Sequence, residues 1–156
     1  MTRFLRAGLV ALTLVLLASQ QPATAQGFNQ IGFATFTTAV AIVTTAEAVV
    51  VSSGPVTAPR QSINVCVFGF AQFTTGTMTT GVIPRIRRGT TTAGTLVGEE
   101  NTVTVGAAAG STEAFSLFVC EDRADVATVD YSFSMDQVAA DGNGSAIFGG
   151  ILVLVR

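Results

Sequence analysis

Apolar positions recur along this chain in short runs and in alternation, never at helical spacing. The longest run, Ile63 to Phe73, is almost entirely apolar, β-branched or aromatic and is bounded by turn-formers. That composition predicts a central strand buried on both faces. In it Cys66, Phe68 and Phe70 share one face, and Val65, Val67, Gly69, Ala71 and Phe73 share the other. Ala114 to Cys120 is a second apolar strand, with Phe118 and Cys120 on one face and Phe115, Leu117 and Val119 on the other. The expectation is that Cys66, Phe68 and Phe70 point at Cys120 and Phe118 across the core, and that the smaller face lies beneath a loop or a second subunit. Thr128 to Met135 alternates cleanly, Val129, Tyr131, Phe133 and Met135 against Ser132 and Ser134. Ala146 to Val155 is a closing apolar strand.

Shorter stretches fill the intervals. Phe28 to Thr38 is extended, and Val40 to Ala46 is strand or irregular. Ala48 to Ser53 stops at Ser53-Gly54-Pro55, where the proline withholds a donor. A Thr/Gly hairpin loop, Thr74 to Gly81, leads into Val82 to Arg88 as the partner of the central strand. Pro84 makes that partner an edge strand or one that begins after the proline. Thr95 to Gly98 and Thr102 to Val105 are short strands about the polar turn Glu99-Glu100-Asn101. Eight or nine strands with closely spaced turn signals predict an all-β, antiparallel sandwich or barrel.

Among β architectures, a jelly-roll-like sandwich of about eight strands ranks first. An immunoglobulin-like sandwich ranks second, because no tryptophan packs on the cysteines and Phe118 stands where a tyrosine corner needs Tyr. An outer-membrane barrel ranks last, for want of aromatic girdles. The segments Val67-Phe68-Gly69-Phe70-Ala71-Gln72, Ile86-Arg87-Arg88-Gly89-Thr90 and Ile151-Leu152-Val153-Leu154-Val155 give the chain an overall pattern. It resembles the small jelly-roll modules of secreted and virion-surface proteins, including tumour necrosis factor-like and complement-type globular heads. The resemblance implies a non-catalytic module that assembles or binds through its surface, and it carries no functional residues across.

The N-terminus stands outside this pattern. Arg3 and Arg6 precede an apolar run from Ala7 to Ala18, and Ala23-Thr24-Ala25 follows a short polar stretch. This is the layout of a secretory signal peptide cleaved after Ala25, which leaves residues 26–156 as a single domain. The expected location is secreted or cell-surface, or periplasmic in a Gram-negative host. Without Arg3 and Arg6, the 8 basic and 10 acidic residues become 6 and 10, net −4. Such a balance opposes nucleic-acid partners, and no membrane insertion is expected after cleavage. In an oxidising compartment Cys66 and Cys120 are expected to form one disulfide rather than two separately buried thiols.

The chain contains neither histidine nor lysine. That removes Ser-His-Asp, Cys-His, Ser-Lys and Schiff-base mechanisms, together with imidazole metal sites. The remaining acids, Glu99 and Glu100, Glu121, Asp122 and Asp125, and Asp136 and Asp141, fall in polar loops, where carboxylates stay ionised. No enzyme activity and no cofactor are expected. Asp136, Asp141 and Asn143, or Glu121, Asp122 and Asp125, offer hard oxygen ligands for calcium, although Asp141-Gly142 and Asn143-Gly144 also serve as turn formers. Asn143-Gly144-Ser145 is also a glycosylation sequon. Arg85, Arg87 and Arg88 form the one basic cluster. They suit an acidic or glycan ligand, or pairing with Glu99 and Glu100. The expected partners are therefore a second copy of the chain, or a cell-surface or glycan ligand.

Overall fold

The computed structural model describes residues 29–42, 46–59, 63–76, 80–105, 109–138 and 144–156. The expected signal peptide, 1–25, lies outside them, as do Asp141 and Asn143. Ten strands follow in chain order: β1 Asn29–Phe36, β2 Val40–Ile42, β3 Ala48–Thr57, β4 Ile63–Thr74, β5 Thr80–Arg88, β6 Thr95–Glu99, β7 Val103–Val105, β8 Thr112–Arg123, β9 Thr128–Gln137 and β10 Gly144–Val155. They form two antiparallel sheets. Sheet A has the order β1-β10-β4-β8, with β2 also on β10, and sheet B has β3-β9-β5-β6, with β7 also on β5.

The short strands explain the count. β1 and β2 lie end to end along β10, and β6 and β7 lie end to end along β5. Each pair is one interrupted strand, so eight strands run through the sandwich. Numbered that way, strands 1 to 4 pair with 8 to 5 as a long ribbon rolled over itself, which is the jelly-roll topology. Only β5 and β6 are both consecutive and paired. The expected hairpin of the central strand with Val82–Arg88 is therefore corrected, because the connection after β4 crosses from sheet A to sheet B. Nor is β5 an edge strand, since it lies between β9 and the β6/β7 line. Pro84 is accommodated because it sits where that line is broken. Its carbonyl accepts the Glu100 N–H at 3.1 Å, so its missing N–H faces the same gap. The expected stop at Gly54-Pro55 is a bulge instead: β3 continues through it, with Gly54 at a φ of 70°.

The core lies between the sheets, and it reverses the expected facing of β4 and β8. Val65, Val67, Ala71 and Phe73 point inward and are buried, together with Leu117 of β8. Phe68, Phe70, Phe118 and the two cysteines stand on the outer face, so β4 is not buried on both sides. The disulfide is present, but it joins directly paired residues of neighbouring strands within sheet A, with Cα atoms 4.0 Å apart. An immunoglobulin-like bridge would cross between sheets. From sheet B, Tyr131, Phe133, Met135 and Ile86 complete the core.

One close approach shows why the inner face of β4 is small at its middle, at Gly69 and Ala71. A Cβ on Gly69 would lie 2.7 Å from Cγ of Phe133, whose ring covers the glycine. Gly69→Ala is expected to cost about 1–3 kcal/mol through overpacking. Urea unfolding measures it, and an unchanged midpoint would show that the ring moves aside freely.

Candidate assembly surface

The two outer faces differ in kind. That of sheet B is a polar network centred on Glu47, which lies just before β3. Arg87 donates from Nε to Glu47 Oε1 and from Nη2 to Oε2, both at 2.6 Å, and from Nη1 to the Gly94 carbonyl at 2.9 Å. The Ser134 hydroxyl also donates to Glu47 Oε1. Arg85 donates to Glu99 at 2.8 Å, pairs with Asp136 at 3.0 Å and lies 3.8 Å from Glu47. Burial pushes the Glu47 carboxyl up, but hydrogen bonds from Arg87 and Ser134 and the nearby guanidinium charges outweigh it, holding the group below its ordinary value. Both arginines are held above theirs: burial opposes the bonds to Glu99 and Asp136 at Arg85, and the Glu47 bond dominates at Arg87.

Of the expected basic cluster, then, Arg85 and Arg87 share one face, while Arg88 points the other way, into the end of the sandwich. There Arg88 reaches Glu121 at 3.4 Å, and Glu121 accepts the Tyr131 hydroxyl at 2.6 Å. Burial, then the Glu121 carboxylate, pushes the Tyr131 phenol upward. Arg123, almost wholly buried at the same end, binds Asp125 and donates to the Ala127 carbonyl at 2.8 Å. Glu100, expected beside the arginines, is represented here only by its backbone N–H. Of the calcium candidates, Asp136 is paired with Arg85, Glu121 with Arg88 and Tyr131, Asp122 with Asn64 and Asp125 with Arg123. Among the described residues no group of three His, Cys, Asp or Glu could hold a metal.

The outer face of sheet A has almost no charge. Its register places Phe33 beside Leu152, Leu152 beside Phe68 and Phe68 beside Phe118, a row of apolar side chains across all four strands. On one side of the row stand Leu154 and the Cys66–Cys120 bridge. On the other, Phe70 lies across Gly150, and Phe148 packs against Phe70 with ring centroids 6.2 Å apart. Phe33 is 54%, Phe118 52% and Phe148 47% exposed, while Phe68, Phe70, Leu152 and Leu154 are half-buried. An open groove of about 440 Å³ runs beside Phe70, Ala114, Ser116 and Phe148. The rim is polar and neutral: Thr35, Gln72, Thr74, Thr112, Ser116 and Ser145. Asp122, at one end and bonded to Asn64 at 2.9 Å, is the one acidic group in these rows.

Two elements of these faces escape sequence reading. Phe148 keeps step with Leu152 and Leu154 on the outer face, while Ala146, two residues earlier, turns inward because β10 bulges between them. Glu47 is the only charge in its stretch of sequence, and that isolation was the available signal. It finds Arg87 and Ser134, 40 and 87 residues away, only once β3, β5 and β9 are neighbours.

No family model matches this chain, and no curated protein matches it. Among solved structures it is similar to "Structure of infectious bursal disease virus Gx strain", at 13% identity over 83% of this chain and 31% of that one, with a TM-score of 0.43. It is likewise similar to "Structure of infectious bursal disease virus Gt strain", at 14% identity over 82% of this chain and 31% of that one, with a TM-score of 0.44. The chain spans about a third of the length of either.

Proposed function

We propose that this protein is an exported, non-enzymatic structural module of a surface, and that it works by assembling with copies of itself. The observation that carries this reading is the aromatic outer face of sheet A. The three most exposed rings leave roughly 300 Å² of phenyl surface in water, taking about 200 Å² for a whole ring. A charge-poor patch of that size with a neutral polar rim has the anatomy of an interface. Covering it would contribute roughly 7 kcal/mol per copy, on the scale of the association cost of about 4–15 kcal/mol. Two copies of a chain at net −4 can meet here because neither brings a charge to the centre of the contact.

The reading of Arg85, Arg87 and Arg88 as a site for a glycan or acidic ligand has less behind it. Each guanidinium already has a carboxylate partner, and a ligand would have to displace it.

Light scattering on residues 26–156 tests the proposal. The native chain is expected to show a mass above that of one copy, rising with concentration. Phe33→Ser combined with Phe148→Ser, at exposed positions that leave the core intact, is expected to lower that mass. A native chain that stays single at high concentration overturns the reading.

A further inference from the structure

The aromatic row of sheet A ends at the sheet's edge, on Phe118 of β8, and that edge differs from the others. Proteins protect sheet edges with breaks, bulges, prolines and charge, because an open edge is a template for another strand. Here the β1/β2 edge is broken between Phe36 and Val40. The β6/β7 edge is broken between Glu99 and Val103. β3 is bulged at Gly54-Pro55. β8 runs twelve residues and pairs with β4 in unbroken register from Thr112 to Arg123. Among the described residues no strand pairs with its other side. Its centre, Ala114 to Cys120, contains no charge, proline or glycine, while Glu113, Glu121, Asp122 and Arg123 stand at its ends.

The direction of the free backbone groups follows from the register. Cys66 and Cys120, with Cα atoms 4.0 Å apart, form a narrow pair of the antiparallel ladder. In such a pair neither residue bonds its partner, and both turn their N–H and C=O away from it. By alternation the same holds at Phe118 and Ser116. The amides of Ser116, Phe118 and Cys120 therefore point out of the open edge, while those of Leu117 and Val119 serve the ladder to β4.

We propose that β8 pairs antiparallel with β8 of a second copy, about a two-fold axis near Phe118, so that the two A sheets become one. The inference rests on the assembly reading above and adds an edge contact to its face contact, since this pairing leaves Phe33 and Phe148 uncovered for a further copy. A second copy is the occupant because this pairing also continues the aromatic row. Phe118, the half-exposed last member of one row, would meet Phe118 of the other copy and cover the side that β4 cannot.

Hydrogen exchange on the full mature chain, read above and below the concentration at which its mass rises, tests this directly. The amides of Ser116, Phe118 and Cys120 are expected to slow at least tenfold on assembly, with Leu117 and Val119 protected in both states. Ser116→Pro removes an N–H that β4 does not use and is expected to lower the mass reached on assembly, leaving the face contact alone. Ser116→Lys, which needs no backbone change, is expected to do the same. If the chain assembles but those three amides exchange at their single-copy rate, or both variants assemble like the native chain, edge pairing is overturned and the apolar face alone carries assembly. If the native chain never assembles, both readings fall.

Discussion

Replacing Cys66 and Cys120 together by Ala is expected to lower the free energy of unfolding by about 4 kcal/mol, and the melting temperature by roughly 15 °C. The bridge closes a loop across a sequence separation of 54 residues. In the folded chain the two strands are already held by a twelve-pair ladder, so the native register does not depend on the bond. The loss arises in the unfolded ensemble, which gains the conformations that the bridge forbids. Two consequences separate this from a packing defect. The denaturant slope should rise, because the released chain exposes more surface. The hydrogen-bond ladder of β4 and β8 should keep its native exchange protection at low denaturant. Denaturation of the double variant beside the oxidised parent decides it, and a loss below about 1 kcal/mol would mean that the reduced chain retains the β4–β8 pairing when unfolded.

Glu47→Gln is expected to cost about 3 kcal/mol near neutral pH, a figure at the low end for a broken buried pair because both groups keep some contact with water. The Glu47 and Arg87 side chains are 13% and 16% exposed and joined as a two-point fork. The amide retains an acceptor for one guanidinium bond and loses the charge and the second acceptor. The effect should also depend on pH. Glu47 titrates below its ordinary value of 4.5 in the folded chain. A carboxyl lowered by folding contributes fully above its unfolded value and loses that contribution as pH falls through the folded one. The difference between native chain and variant should therefore stay level above about pH 5 and shrink in the acid range below it. Paired urea titrations across that range measure this, and a difference constant into strong acid would show that the fork contributes through shape rather than charge.

The fold class was legible because period-two alternation and turn residues are local properties, and β5, β8 and β9 separate their faces as the alternation divides them. Which face goes inside was not. Both faces of β4 are apolar, and the larger residues, Phe68 and Phe70, looked like the core. The inner face is small at its middle because Phe133 of the opposite sheet occupies the space over Gly69. The same limit hid strand order. The polar stretch Glu99-Glu100-Asn101, expected as a tight turn, makes none, since β6 and β7 run end to end along β5, and the loop signal after β4 does not say whether the chain returns along its own sheet or crosses to the other. In a jelly roll it mostly crosses.

The sequence alone thus determined an all-β chain, the residues that share a face on β4, β5, β8 and β9, the cysteine pair and the absence of histidine and lysine chemistry. Each follows from residue type and spacing within a few positions. The tertiary structure decided that Cys66 and Cys120 link neighbours in one sheet, that Arg85 and Arg87 converge on Glu47, and that Phe33, Phe68 and Phe118 stand in one row on an open face ending at an open edge. Those depend on register between strands far apart in the chain, where moving a pairing by one residue exchanges the inside of a strand for its outside.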